Sequence, residues 1–150
     1  MYGSWLAQLN LGIHEAGHVL TRPFGELVSL CSGTGFQLFV PVYGVYNFVK
    51  QRDYFSAALS WGWLGTNLFN VSTYMADART MRLPLVTPFG AHGVHHWNYL
   101  LARTGLLAYD TTLAFAVQLA AAATMFFCLY AGGWLVSGMT GEGPSMEEPR

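Results

Sequence analysis

Long runs without a charged residue most strongly restrict how this chain can fold. Residues 27–49, 54–76 and 111–138 contain no Asp, Glu, Lys or Arg. About 20 apolar residues in a helix span the roughly 30 Å hydrocarbon core of a bilayer, because each residue adds about 1.5 Å. Together with an N-terminal segment at 2–21, these runs predict an all-α, multi-pass transmembrane helical bundle of about four spans.

The composition favours the same class of protein. Charged residues make up 10% of the chain and hydrophobic residues 53%, whereas charged residues are about 25% of a typical soluble domain. A net charge of −1 offers no basic surface for nucleic acid. The two cysteines, Cys31 and Cys128, lie in apolar runs and predict no disulfide framework. We therefore expect the lipid bilayer as a partner and no nucleic acid, and oligomeric state stays open.

The polar parts of the chain lie between the third and fourth runs and at the C-terminus. Prolines and glycines between residues 84 and 93 predict a loop, and residues 97–107 read as a short interfacial helix within a polar segment at 77–110. The acidic residues 142–150, which include Pro and Gly, are predicted to be disordered. The remaining 1–141 are expected to form a single membrane-embedded domain.

An H-E-x-x-H motif, from His14 to His18, lies inside the first apolar segment. Residues four apart share a helix face, so His14 and His18 can direct two imidazoles at one metal ion. Glu15, next to the first histidine, is the candidate catalytic residue, because its carboxylate can take a proton from water and pass it to a leaving amine. An ionisable cluster in so apolar a segment is costly unless something compensates it, and Zn²⁺ is the expected cofactor.

A catalytic zinc site usually has three protein ligands and a water molecule, so a third ligand must come from elsewhere in the chain. The candidates lie in the polar 77–110 segment and are Asp77, His92, His95 and His96. The amide side chains within the apolar runs include those of Gln37 and Asn67. Such amides either form hydrogen bonds between helices or contact the backbone of a substrate near the metal.

These residues carry a resemblance to a known family. H-E-x-x-H followed by several apolar segments resembles the site-two protease family of intramembrane zinc metalloproteases, in which a later transmembrane helix supplies an Asp as third ligand. Asp77 matches that position, although Ala78 follows where the family has Gly, and the Asn-Pro signature of the family is absent. The chain is also similar to small bacterial multi-pass relatives with a His-Asp-Trp step before an Asn-Tyr-Leu-Leu helix. His95 and 97–101 match them, and His96 stands in place of the Asp.

The resemblance implies that 1–141 are a metalloprotease-like domain in a bacterial inner membrane. It implies hydrolysis of peptide bonds in membrane-embedded or juxtamembrane protein substrates, with Asp77 as third zinc ligand and His95 as the alternative. Gln37 and Asn67 are then the predicted substrate-binding residues. Two other functions stay open. One is a non-catalytic metal-binding membrane scaffold, and the other is a transporter whose histidines relay protons.

Overall fold

The computed structural model describes residues 5–83 and 95–139, and within these ranges it contains helices and no β-strand. The all-α class is thereby confirmed. The helices in chain order are α1 (Trp5–Thr21), α2 (Glu26–Lys50), α3 (Tyr54–Ala76), α4 (His96–Arg103) and α5 (Asp110–Met139). Short 3₁₀ turns lie at Arg22–Phe24 and Leu107–Tyr109. The predicted helix at 97–107 corresponds to α4 and the second turn, while the predicted loop at 84–93 and the 142–150 tail lie outside the described residues.

The breaks between the first three helices follow from local sequence. Pro23 lies in the 3₁₀ turn after α1, and Gly25 has φ +102°, a backbone conformation that a residue without Cβ adopts easily. Asp53 caps α3 by accepting a 3.1 Å hydrogen bond from the backbone N–H of Ser56. Pro41 is buried inside α2 and does not end the helix. The chain therefore reverses direction at two short turns and forms three consecutive long helices.

The helices pack in a continuous series, with α1 against α2, α2 against α3, and α3 against α5. Glycine permits the closest approaches. A Cβ at Gly17 of α1 would lie 2.6 Å from the carbonyl oxygen of Ser32 in α2. A Cβ at Gly65 of α3 would lie 3.0 Å from Oγ1 of Thr124 in α5. Small residues at helix contacts are typical of membrane bundles, where backbones pack closely.

The main apolar core lies where α3 ends and where α4 and α5 begin. It consists of five buried side chains, with partly buried residues such as Trp97 and Leu107 packed against it. The buried members are Val71, Met75, Ala78, Leu101 and Ala114. Because Leu101 belongs to α4, this core holds the short helix against the C-terminal end of α3.

Two helical segments, Glu26–Lys50 and Leu107–Met139, are long and apolar enough to cross a membrane, by length and composition. Their most apolar stretches are only 17% and 11% buried within the protein. Large side chains such as Phe39, Phe126 and Leu129 consequently point outward. A helix that is apolar on all sides needs an apolar environment around it, either protein or lipid. The helices α1 and α3 are not among these candidate spans.

Candidate metal centre

The two histidines of the H-E-x-x-H motif meet where α1 packs against α2. The Nε2 atoms of His14 and His18 are 3.0 Å apart. His96, the first residue of α4, completes the group, and one potential ligand atom from each of the three residues lies within 4.8 Å of the others. The ring centroids of His18 and His96 are 4.6 Å apart. Three half-buried imidazoles from two helices distant in sequence thus converge on one point.

The tautomer of His18 follows from its backbone partner. Its Nδ1 atom lies 2.6 Å from the carbonyl oxygen of Ser29 in α2. A carbonyl oxygen only accepts hydrogen bonds, so Nδ1 must carry the proton and donate. In a neutral ring the proton is then absent from Nε2, which presents a lone pair toward His14.

The tautomer of His14 is determined by a longer chain of hydrogen bonds that also ends on a carbonyl. The Nδ2 group of Asn67 donates to the carbonyl oxygen of Trp63 (3.2 Å). This leaves Oδ1 of Asn67 to accept from Nε2 of Gln37 (2.9 Å). The remaining oxygen of Gln37 faces Nδ1 of His14 at 3.2 Å. Nδ1 of His14 therefore donates to Gln37, and its Nε2 also presents a lone pair.

Two lone pairs facing each other at 3.0 Å repel unless a cation is held with them. Tetrahedral zinc with Zn–N distances of about 2.0–2.1 Å separates two ligand nitrogens by about 3.3 Å, close to this spacing. Histidines that bind metals also commonly donate their second N–H to a carbonyl, a carboxylate or water, as both rings do here. The three residues fit a zinc ion. A proton held between the same two nitrogens is the other cation that satisfies the pair.

The space for these rings depends on Gly33 in α2. A Cβ atom there would lie 2.6 Å from Cε1 of His18 and 2.8 Å from Cε1 of His14. Any larger side chain would therefore push the imidazoles out of position. Gly35 lies two residues further along α2, and a Cβ atom there would have nothing within 4 Å, so this glycine plays no such part.

The His96 ring is neutral near pH 7. Burial, followed by the neighbouring His18 and His14, lowers its pKa to about 4. A neutral imidazole is the form that binds a metal ion. The sequence includes His96 among the candidates but favours Asp77 or His95, and the structure brings His96 into the group instead. The start of α4, which sequence spacing does not define, makes His95 the N-cap and His96 the first helical residue, and so determines which of the two faces α1.

Asp77 is placed elsewhere. It is the C-cap residue of α3, and its carboxylate accepts hydrogen bonds from the hydroxyl of Thr80 and from the backbone N–H groups of Arg82 (3.0 Å) and Leu83 (2.8 Å). Burial alone would raise the pKa of this carboxyl, but those hydrogen bonds outweigh it and lower the pKa to about 2. Both oxygens are thus engaged in closing the end of α3, and Asp77 is not in the three-histidine group.

His95 is also outside that group. It is the N-cap of α4, where its Nδ1 atom accepts a hydrogen bond from the backbone N–H of Asn98 (3.2 Å). Its Nε2 atom lies 3.5 Å from Oδ2 of Asp77. The two residues predicted as alternative third ligands therefore face each other. His92, the other candidate, lies outside the described residues.

The remaining predicted site residues are Gln37, Asn67 and Glu15. Gln37 and Asn67 are predicted to contact substrate, but in the structure they are buried, 5% and 0% exposed, and their amides join His14 to the backbone of α3. Glu15 is half-buried beside His14 on α1. The carbonyl of Ser29, which orients His18, has no sequence signal, because every residue carries a backbone carbonyl.

Comparisons with protein families, with curated proteins and with solved structures gave no match to this chain.

Proposed function

We propose that this protein is a membrane-embedded zinc hydrolase that cleaves peptide bonds in or next to the bilayer. His14, His18 and His96 hold the ion, and Glu15 is the general base. The observation that carries the proposal is the pair of Nε2 atoms 3.0 Å apart, each on a ring whose Nδ1 donates to a defined acceptor. In the H-E-x-x-H motif, Glu15 directly follows His14 and so places a carboxylate base next to the two histidines.

The membrane location is supported by the outward-facing apolar surfaces of α2 and α5. We propose that α1 and α3 cross the membrane as well, which gives the four-span arrangement expected from the sequence. α3 contains no charged residue and packs against both α2 and α5. A helix enclosed by two spanning neighbours, and free of charge along its length, has nothing that would hold it at the surface. The protein is then a multi-pass protein of a bacterial inner membrane.

Each residue has a defined part in the proposed reaction. A bound zinc ion supplies Lewis-acid activation of a carbonyl group and of water. Glu15 takes the proton from the attacking water and delivers it to the leaving nitrogen. Gln37 and the Ser29 carbonyl hold the two α1 histidines in the tautomer that leaves Nε2 free. The substrate is an unwound segment of a membrane-embedded or juxtamembrane protein, because an intact helix has its carbonyls hydrogen-bonded.

Metal analysis of the detergent-purified chain tests the centre. The wild-type protein should contain about one zinc per chain, and His14→Ala, His18→Ala and His96→Ala should each lose it. Glu15→Gln is the matched control, because it changes the motif without removing a ligand, and its zinc content should equal that of the wild type. Zinc retained by a His14→Ala/His18→Ala double variant would show that the metal is bound elsewhere.

Glu15→Gln also separates an enzyme from a metal-binding scaffold. General-base catalysis typically contributes about 10²–10⁴-fold, so cleavage should fall by that factor while zinc is retained. The assay is co-expression with single-span test substrates, followed by turnover of the purified protein. If Glu15→Gln matches the wild type in every cellular phenotype while His14→Ala does not, the metal is structural and the protein is a scaffold.

The short Nε2–Nε2 distance supports one other function, a proton-relaying transporter. A proton shared by His14 and His18 would satisfy the same two lone pairs. This alternative predicts a purified protein without bound metal and a pH-dependent flux in reconstituted vesicles, which His14→Ala abolishes. Finding stoichiometric zinc excludes it.

A further inference from the structure

Asp77 and His95 form a buried pair that the proposed chemistry does not use. The side chain of His95 is 4% exposed and that of Asp77 is 9% exposed. The carboxylate is held by Thr80, Arg82 and Leu83, so its position is determined by the backbone turn that follows α3. His95 precedes α4 directly. The pair therefore joins the end of one helix to the start of another.

The proton of His95 is directed at this carboxylate. Because Nδ1 accepts from the backbone N–H of Asn98, the proton of a neutral ring is on Nε2. That Nε2 atom has no hydrogen-bond partner within 5–83 and 95–139, and it lies 3.5 Å from Oδ2 of the Asp77 carboxylate. A buried donor without a partner is costly, so the attraction to a fixed negative oxygen gives this ring a preferred direction.

Two further contacts hold the same end of α4 to α3. Nδ2 of Asn98 donates to the carbonyl oxygen of Ala78 (2.8 Å). Leu101, one turn further on, is 4% exposed and belongs to the apolar core. His95 is the N-cap that directly precedes His96, and its Nδ1 is hydrogen-bonded to Asn98 in the first turn of α4. Holding His95 toward Asp77 therefore restrains the rotation of α4 about its axis, and with it the direction of His96.

We propose that Asp77 and His95 are positioning residues that aim His96 at His14 and His18. This inference rests on the proposed metal centre, and it gives the two residues a role in place of ligation. It predicts that loss of the Asp77–His95 contact weakens zinc binding although no ligand has been removed. Loss of outer groups that orient metal ligands typically lowers metal affinity about 10–100-fold.

Two substitutions of His95 separate this role from simple helix capping. In His95→Asn the amide can replace Nδ1 and keep the cap on Asn98, but it is too short to reach Asp77. In His95→Gln the longer amide can replace Nε2 and point an N–H at Asp77, but it caps poorly. We expect His95→Asn and Asp77→Asn to lower the affinity for Zn²⁺ about 10–100-fold, and His95→Gln to stay within a few-fold of the wild type. The measurement is competition with a chromophoric chelator, on the full chain in detergent.

Asp110→Asn is the matched control for general destabilisation. Asp110 is the other buried carboxylate at this end of the bundle, 1% exposed, and pairs with Arg79 rather than with a residue of α4. Its substitution should lower the melting temperature without changing zinc affinity. Circular dichroism of each variant reports whether helix content is retained.

Several outcomes would overturn the positioning role. These are equal affinity in all variants, a weaker affinity in His95→Gln than in His95→Asn, or a loss in Asp110→Asn as large as in Asp77→Asn. A wild-type protein that binds no Zn²⁺ would overturn both the positioning role and the metal centre. If the affinities follow the expected order but Glu15→Gln leaves every phenotype unchanged, the positioning role stands and only the hydrolase proposal fails.

Discussion

At the scale of single residues, the centre depends on which nitrogen of each imidazole carries the proton. The two acceptors differ in kind: His18 donates to a backbone carbonyl and His14 to the side-chain amide of Gln37. A backbone carbonyl cannot be removed by substitution, whereas an amide can. The relay on the His14 side is therefore the part of the site that mutation can test.

Gln37→Leu should weaken zinc binding about 10–100-fold, because His14 loses the acceptor that orients it and Asn67 loses its donor. The control is Asn70→Leu. Asn70 lies one turn after Asn67 on α3, but it is exposed, and its Oδ1 is 3.5 Å from Nε2 of Gln37. Zinc affinity of both variants is measured by chelator competition. Equal affinity in the two variants would mean that the relay does not orient His14.

Gly33→Ala should abolish zinc binding, because the added methyl group collides with the rings of both His14 and His18. Gly35→Ala is the matched control on the same helix, with nothing within 4 Å of its added Cβ. It should keep zinc and gain about 0.5–1 kcal/mol of stability, as expected for Gly→Ala inside a helix. Metal content and thermal melting of the two proteins check both expectations.

At the scale of helices, the end of α3 organises the fold and the candidate site together. Asp77 lies at this end facing α4, while Arg79, two residues later, makes a 2.8 Å ion pair with Asp110 at the start of α5. The short α4 carries the third histidine, His96. Its eight residues supply too little stability to keep it helical alone, so the position of His96 depends on the docking of α4 against α3. An isolated helix this short is unstable in water.

Arg79→Ala should lower the melting temperature clearly, because it leaves the Asp110 carboxylate, 1% exposed, without its cation. Arg103→Ala is the control, since the hydrogen bond that Arg103 donates to the hydroxyl of Tyr99 is exposed. That variant should melt close to the wild type, as surface contacts contribute little. A similar melting temperature for both variants would mean that the ion pair does not hold α5 to α3.

At the scale of the whole molecule, apolar side chains cover much of the outer surface. α5 buries Asp110, Ala114 and Ala121 and exposes most of its large residues, including Phe126 and Trp134. A soluble monomer rarely exposes such continuous apolar area, which needs lipid or another protein to cover it. The outward faces of α2 and α5 are therefore the basis for the expected bilayer contact.

The proposed four-span topology places the α2–α3 turn and the segment after α3 on opposite sides of the membrane. Gln51→Cys and Arg82→Cys, both at exposed positions, test this in a background with Cys31→Ser and Cys128→Ser. A membrane-impermeant maleimide applied to intact cells should label only one of them, and both should react after lysis. Labelling of both in intact cells would contradict a crossing by α3.

Sequence alone determined the long helices and the helix face that His14 and His18 share. Charge-free runs predict α2, α3 and α5 because length and hydrophobicity are local properties, and His14 and His18 share a face because of helical periodicity. Only the tertiary structure decided the third position of the group. His95 and His96 are adjacent in sequence, and the position at which α4 begins makes His95 its N-cap and His96 the residue that faces α1. The roles of Gly33 and of the Ser29 carbonyl are likewise tertiary, because they exist only where α2 packs against α1.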